Sequence, residues 1–596
     1  MKILLKFLVP YKKECIIGPF FKLLEAILEL LLPTVMALVI DHGVLQKDSS
    51  YVLKMGLLMI VMSLVGFGCS LICQYNAAKA SQGYGTDLRN ALFTHISSFS
   101  YTELDYFGPS TLTTRLTNDI NQLQLGVAML IRLVVRAPFI CIGAIIMAMI
   151  LNFKLSLILI GTAPLFIAVL YFIISKTSPL YKLSQQKLDH LSTIVRENLG
   201  GVRVIRAFAK EPHETVRFTA ANDDLTATSN LAAKFSALLS PMTSLIMNLT
   251  IVVILWAGGI QINVGRFTQG EMIAYINYIT QILLALIVLS NLIILFTKAY
   301  TSGIRVAEVL NTTSSIKNTE GTLSTLGISD PLKGSNHLSS LHNSPILEFD
   351  DVSFSYYQTS DNAIENISFS VRRGEMVGII GATGSGKSTL VNLIGRFYDI
   401  TSGCIKVNEC DIKNYSLNAL RKLMGYVPQK SILISGTIAE NLKLGHPNAT
   451  DEAMKRAAKI AQADEFITSL KEGYHTNVVR GGGNFSGGQK QRLAIARALI
   501  SNPSLLILDD SSSALDFATE AKLREALKEN SADMSVMIIS QRASSIRHCS
   551  QIFVMDDGKI VGSGTHDTLI TNCMVYREIC LSQMSLEEAA PEGGLL

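Results

Sequence analysis

The sequence predicts two unlike parts: an α-helical transmembrane half with six long helices, fused to an α/β half built on a P-loop. Three observations predict this. Hydrophobic residues make up 48% of the 596 residues and charged residues only 17%, with a mean hydropathy of +0.34. That is too apolar for an ordinary soluble protein and places part of the chain in lipid. The long charge-free stretches all lie in the first half. The second half carries GATGSGKST directly behind an apolar strand.

The net charge of +4 and the lack of a Lys/Arg run argue against nucleic acid as a partner. Nine cysteines are scattered without a CxxC pair. Cys69 and Cys73 are one turn apart, but inside an apolar segment. They read as small hydrophobes in a reduced protein, not as a disulfide framework or zinc site.

Taken in order, the start MKILLKFLVPYKKE has an apolar run broken by Lys6 and no small-residue cleavage site. It is expected to lie as an amphipathic segment on the membrane surface. Stretches 55–78, 137–153, 155–175, 235–265 and 272–297 approach or exceed the ~20 residues that a helix needs to cross a bilayer. A sixth, about 15–40, is interrupted by Lys22, Glu25 and Glu29. Six crossings put both ends of this half on one side. The connection 176–234 carries Arg196, Arg203, Arg206 and Lys210, whereas the short connections opposite carry only Lys154 or Arg266. The positive-inside rule then makes the basic loops, both termini and the second half cytoplasmic, in a multi-pass protein of the plasma membrane. Connections 79–129 and 176–234 contain helical patterns such as LRNALFTHISSF, so the helices are expected to continue beyond the membrane.

The expected domains are a transmembrane domain over 1–310, a Ser/Thr/Asn/Gly-rich linker over 311–344, a nucleotide-binding domain over 345–585 and a tail over 586–596. In the third of these, ILEFDDVSFSYY and ISFSVRRGEMVGII read as strands and EAMKRAAKIAQADEFI as a helix.

The phosphate chemistry follows from residue types. Gly381 to Ser388 satisfy GxxxxGK[ST] between the strand EMVGII and the helix STLVNLIGRF. Gly381, Thr383, Gly384, Ser385 and Gly386 form a turn whose N–H groups can face a phosphate at a helix N-terminus. Lys387 can reach the outer phosphates, the Ser388 hydroxyl can ligate Mg²⁺, and Thr389 opens the helix. Farther on, LLIL runs into Asp509 and Asp510. An all-apolar run suits a parallel strand buried on both faces, and ligands bind beyond the C-terminal ends of such strands. Asp509 is therefore expected to hold Mg²⁺, and Asp510 to face the attacking water. NFSGGQKQR supplies a second phosphate-binding helix start at Ser486, Gly487, Gly488 and Gln489. Two cradles with one lysine imply a dimer in which each nucleotide lies between two chains.

With these motifs in place, the whole chain resembles an ATP-binding cassette exporter half-transporter. The resemblance implies ATP as substrate and Mg²⁺ as cofactor. It implies that Tyr356, or else Tyr357, stacks on adenine. It implies that Gln429 touches Mg²⁺ and water, and that Asp516 of SALD crosses to the opposite site. Short coupling segments are expected near 108–114 and 208–216. Three departures from the family pattern stand out. Asp510 replaces the glutamate that polarises water, and its carboxylate reaches about 1.5 Å less. Gln541 replaces the switch histidine. Arg480 stands where many exporters carry glutamate. Asp510 and Gln541 together imply a site that binds ATP and hydrolyses it poorly. The intact NFSGGQ would complete a competent site on a second, different half-transporter.

For cargo, Glu25 and Glu29 sit i, i+4 on the first crossing, roughly 15–20 Å along it. They are expected either to attract a cationic or amphipathic substrate or to pair with Lys22, Arg132 or Arg136. Asn248, Asn277, Gln281 and Asn291 are polar points on the last two spans, and Tyr275, Tyr278, Met242 and Met247 are candidates for cavity lining or packing. The leading reading is export of amphipathic small molecules, the multidrug type. Two alternatives are a lipid or lipid-linked flippase acting as a homodimer, and a subunit that binds ATP for gating only.

Overall fold

A computed structural model describes residues 2–316, 344–356, 361–530 and 534–583. The chain divides into two compact units, one of Met1–Ile96 with Ser110–Thr312 and one of Ser97–Pro109 with Thr313–Leu596. The linker between 317 and 343, Tyr357, and the tail from 584 lie outside the described residues.

Among the described residues, six helical stretches are long and apolar enough to cross a membrane: Val9–Val44, Ser49–Ser97, Pro109–Leu151, Pro164–Gly200, Glu211–Asn263 and Gln269–Asn311. They run from 36 to 53 residues. At 1.5 Å per residue each exceeds a hydrocarbon core of about 30 Å, so the helices project beyond the lipid as the sequence implies. The sequence reading separates 137–153 from 155–175, and the structure breaks the chain there at Asn152, whose extended backbone and side chain cap the next helix at Leu155 N.

Close packing in this unit rests on small residues. A methyl group added at Gly18 would stand 2.5 Å from Ile131 Cγ2, and Ala26, Ala144 and Ala148 are fully shielded. Tyr275 and Tyr278 are also fully buried. The first donates to Ser156 Oγ at 3.1 Å and the second to the Leu30 carbonyl at 2.8 Å. They are therefore packing residues, not cavity lining. At the end opposite the basic loops, Asp41 accepts from Gly270 N at 2.9 Å and Thr268 Oγ1 at 2.6 Å, which ties the first crossing to the capped start of the sixth. The projecting arms are joined by Lys187 to Asp224 at 2.6 Å and Arg217 to Glu197 at 2.8 Å.

The second unit holds two main sheets. The first is antiparallel, in the order β2-β1-β4-β5, with β1 Pro345–Phe354, β2 Ile364–Arg372, β4 Ser402–Val407 and β5 Cys410–Asp411. The second runs β12-β11-β3-β10-β9-β6, with β3 Met376–Gly381, β6 Met424–Val427, β9 Leu505–Asp509, β10 Ser535–Ser540, β11 Gln551–Asp556 and β12 Lys559–Gly564. A short ribbon pairs β7 Gly436–Thr437 with β8 Asn477–Val478. Strands β11, β3, β10, β9 and β6 pair in parallel, and β9 and β10 are buried throughout. Continuous Leu/Ile/Val runs fit such doubly covered strands. Their C-terminal ends line up Gly381, Asp509 and Ser540, which places three chemistry-bearing loops side by side.

Segment Ser97–Pro109 belongs with this second unit. Its helix Tyr101–Phe107 starts with a Ser100–Glu103 capping box. Tyr101 stacks on Phe397 with centroids 4.8 Å apart, and the Tyr398 hydroxyl donates to Asp105. The aromatic residues that find a surface precede Gly108, whose φ of +73° ends the helix.

Candidate functional site

Strand β3 delivers the chain into a loop that only glycine can build at key points. Gly384 and Gly386 have φ of +87° and +93°, and a Cβ at Gly381 would stand 2.2 Å from the Met555 carbonyl. The helix Lys387–Ile394 follows at once. Lys387 folds back so that Nζ donates to the carbonyls of Gly381 at 2.8 Å and Ala382 at 2.6 Å, and to Ser385 Oγ at 3.3 Å. Its burial pulls the ammonium's pKa down, against the pull of Asp510 and Asp509. The loop thus concentrates one buried cation and a helix N-terminus in one concave turn, which is a phosphate cradle. Ser388 and Thr383 are exposed beside it.

Asp509 ends β9 and is 5% exposed. Burial, and then the adjacent Asp510 charge, push its pKa up to about 6, with Lys387 opposing. A buried carboxylate that feels Lys387, with an exposed hydroxyl on the next residue, Ser388, offers hard-oxygen donors. It fits Mg²⁺, which takes one or two carboxylates and completes its shell with phosphate and water. Among the described residues no three His, Cys, Asp or Glu side chains converge on one point, so an all-protein metal cage is not the alternative. Asp509 and Ser388 would hold the ion, and the ion would neutralise charge on the outer phosphates.

Asp510 turns left-handed, with φ of +47°, and its N–H donates to the Ile539 carbonyl at 2.8 Å. Its carboxylate lies 3.4 Å from Gln429 Nε2. Gln541, just past β10, accepts from the Thr383 hydroxyl at 3.3 Å. The structure therefore brings Thr383, Lys387, Gln429, Asp509, Asp510 and Gln541 to one end of the parallel sheet. Tyr356 is half-buried, its hydroxyl 2.9 Å from Thr389 Oγ1 and its ring edge-on to Phe354 and Tyr398.

Ser486 caps the helix Gly487–Leu499 in a reciprocal box with Gln489: its N–H donates to Gln489 Oε1 at 2.9 Å, and its Oγ accepts from Gln489 N at 3.3 Å. Gly488 lies where a Cβ would meet the Ala514 carbonyl at 3.0 Å. Asp516 caps the helix Phe517–Glu529 through Thr519 N and Oγ1, both at 2.9 Å, and those bonds hold its carboxyl below the usual range.

Models of two families match these parts, the ABC transporter transmembrane region over residues 15–314 and the ABC transporter domain over 364–513. The chain belongs to the ABC transporter family. It is similar, at 39% identity over 583 residues and 98% of each chain, to the uncharacterized ABC transporter ATP-binding protein YfiB of Bacillus subtilis. It is also similar, at 33% identity over 595 residues, to the putative multidrug export ATP-binding/permease protein YgaD of the same organism, with 97% of this chain and 98% of YgaD covered. Its fold matches a bacterial Atm1-family ABC exporter with ATP bound, at a TM-score of 0.76 and 23% identity over 95% of this chain and 98% of that one. This ABC protein is thus an exporter-type half-transporter, a multi-pass membrane protein with an ATPase domain.

The membrane-half candidates fall apart as a group. Glu25 receives Lys22 Nζ at 2.7 Å, and Glu29 receives Arg136 Nη2 at 2.7 Å. Asn277 donates to its own helix at the Ile273 carbonyl, Asn248 is exposed, and Gln281 holds a shielded carbonyl oxygen with no partner among the described residues. A residue that the motifs do not flag is Gln583. It accepts from Ala543 N at 2.9 Å and donates to the Gln541 carbonyl at 2.8 Å, which fixes the switch loop from the last described helix, Met574–Gln583. It lies 42 positions from Gln541, and no local pattern in the sequence announces it.

Proposed function

We propose that this chain is one half of an ATP-driven exporter of amphipathic small molecules, working beside a different half-transporter in the cytoplasmic membrane. In this reading the nucleotide domain and both termini face the cytoplasm. ATP lies between the phosphate loop of one chain and the Ser486–Gln489 helix start of the other, with Mg²⁺ on Asp509 and Ser388. Closure of the two domains, carried through the projecting helices, would turn the membrane cavity outward.

The observation that carries the asymmetric part is the pairing of Asp510 with Gln541 at the sheet end. Asp510 offers a carboxylate one methylene short of the glutamate reach, already 3.4 Å from Gln429. About 1 Å of misplacement can cost about 100-fold in a base-assisted step. Gln541 can hydrogen-bond a phosphate but cannot share a proton with it. An intact phosphate cradle beside both changes supports a pocket that holds ATP and cleaves it slowly. The partner would supply glutamate and histidine to the other pocket, with Ser486 coming from this chain. The similarity to YgaD, a putative multidrug export ATP-binding/permease protein, supports the cargo class.

The test is reconstitution in vesicles, with and without a candidate partner half that carries glutamate and histidine. ATP-dependent dye export by the pair, with little turnover by this chain alone, supports the reading. ATP binding with neither turnover nor transport, alone or with the partner, would support a gating subunit instead.

A further inference from the structure

Five charged side chains gather where the first crossing, Val9–Val44, packs on the third, Pro109–Leu151. Lys22, Glu25 and Glu29 come from the first, and Arg132 and Arg136 from the third. The packing is tight at this level, because Gly18, one turn before Lys22, lies against Ile131, the neighbour of Arg132. Cys73 of the second crossing lies within electrostatic reach of Lys22, Glu25 and Arg132 together.

The charges do not cancel. Lys22 donates twice to Glu25, at 2.8 and 2.7 Å, and Arg136 Nη2 donates to both Glu29 oxygens, at 3.1 and 2.7 Å. Both carboxylates are therefore committed to a cation. Arg132 forms no hydrogen bond or ion pair among the described residues, and the Nε atoms of Arg132 and Arg136 are shielded without a partner. Three cations against two anions leave one positive charge inside an apolar segment. Such a charge is costly unless an anion answers it. A second copy of this chain would not supply that anion, since it brings the same positive excess.

We propose that Arg132, flanked by Arg136 and Lys22, receives the acidic headgroup of an amphiphile: a carboxylate, sulfate or phosphate on an apolar tail. The length fits. From Arg132 to the far helix end at Leu151 is roughly 30 Å at 1.5 Å per residue, about one hydrocarbon thickness, which leaves length for an apolar tail beside a headgroup held at Arg132. The tail has apolar neighbours, since Leu130, Val134 and Val135 expose large hydrophobic side chains on the same stretch. This reverses the polarity that Glu25 and Glu29 imply when they are read from the sequence alone. It rests on the export reading for its meaning as cargo recognition, but the binding itself needs no ATP.

The test uses the full chain in phosphatidylcholine nanodiscs without nucleotide, titrated with a dansylated undecanoic acid and with its methyl ester. The acid binds roughly tenfold or more tightly than the ester, the scale of one charge-assisted hydrogen bond. Arg132→Gln removes that preference, and Arg132→Lys keeps most of it. ATP binding by each variant shows that it is folded. Added phosphatidylglycerol distinguishes the sources: suppression of acid binding identifies a lipid headgroup as the natural occupant, and no suppression identifies a free acid, each in keeping with the site. Equal binding of acid and ester by the wild type, or an unchanged preference in folded Arg132→Gln, overturns the proposal. Acid binding that persists without any ATP-dependent export would fault the export reading and leave this site standing.

Discussion

Gln429 Nε2 stands 3.4 Å from the Asp510 carboxylate, across the end of the parallel sheet. This contact joins the loop after β9, next to Asp509, to the loop after β6. A glutamate at 510 would extend the carboxylate by about 1.5 Å. Asp510→Glu alone is expected to change ATP turnover less than about threefold, because Gln541 still cannot share a proton with a phosphate. Asp510→Glu with Gln541→His is expected to raise turnover by at least about tenfold. Steady-state phosphate release from the single and double variants checks this.

Asp509 predicts a pH dependence. Its pKa is raised to about 6 from 3.8 in the folded, nucleotide-free chain. A raised acid favours the folded state at pH below 3.8, and that advantage is lost as pH climbs to about 6. At pH 7 the buried carboxylate therefore costs on the order of 3 kcal/mol. Asp509→Asn is expected to unfold at higher temperature than the wild type at pH 7 in the presence of a chelator, with the difference shrinking toward pH 4. Thermal unfolding of the nucleotide domain across that range checks it. The same variant is expected to lose Mg²⁺-dependent tightening of ATP binding.

Gln583 predicts a local effect. Its amide holds Ala543 N–H and the Gln541 carbonyl, at 2.9 and 2.8 Å. Gln583→Ala removes both bonds, each worth about 1 kcal/mol. Hydrogen exchange at the Ala543 amide is expected to speed up by roughly fivefold or more, while that of β9 stays unchanged. Exchange read by mass spectrometry on peptides covering the two segments separates the outcomes.

The Lys22–Glu25 pair predicts a non-additive result. Both side chains are mostly buried, at 8% and 17% exposure. Glu25→Leu strands a buried ammonium and is expected to cost about 3 kcal/mol or more, whereas Lys22→Met with Glu25→Leu is expected to be near neutral. Thermal unfolding of the single and double variants in detergent gives the coupling.

The phosphate loop, Asp509 and the Ser486 helix were readable in the sequence because their chemistry demands fixed residue types at fixed spacing, next to a strand or at a helix start. The six crossings were readable because lipid imposes length and composition. Other features depend on residues far apart in the chain. Glu29 finds Arg136 across 107 positions, so sequence reading left its fate open between cargo and ion pair. Asp105 meets Tyr398 across 293 positions, from a helix capped by Ser100 and Glu103. The tyrosine hydroxyls at 275 and 278 are satisfied by other crossings, a fact that helical periodicity alone does not contain.

The most direct test is to count the nucleotides retained after turnover by the purified complex of this chain with a partner half. The account predicts one ATP held intact for many cycles at the pocket of Lys387 and Asp509, with ADP released from the other, and almost no turnover by this chain alone. Two equally short-lived nucleotides, or vigorous hydrolysis by the unaccompanied chain, would contradict it.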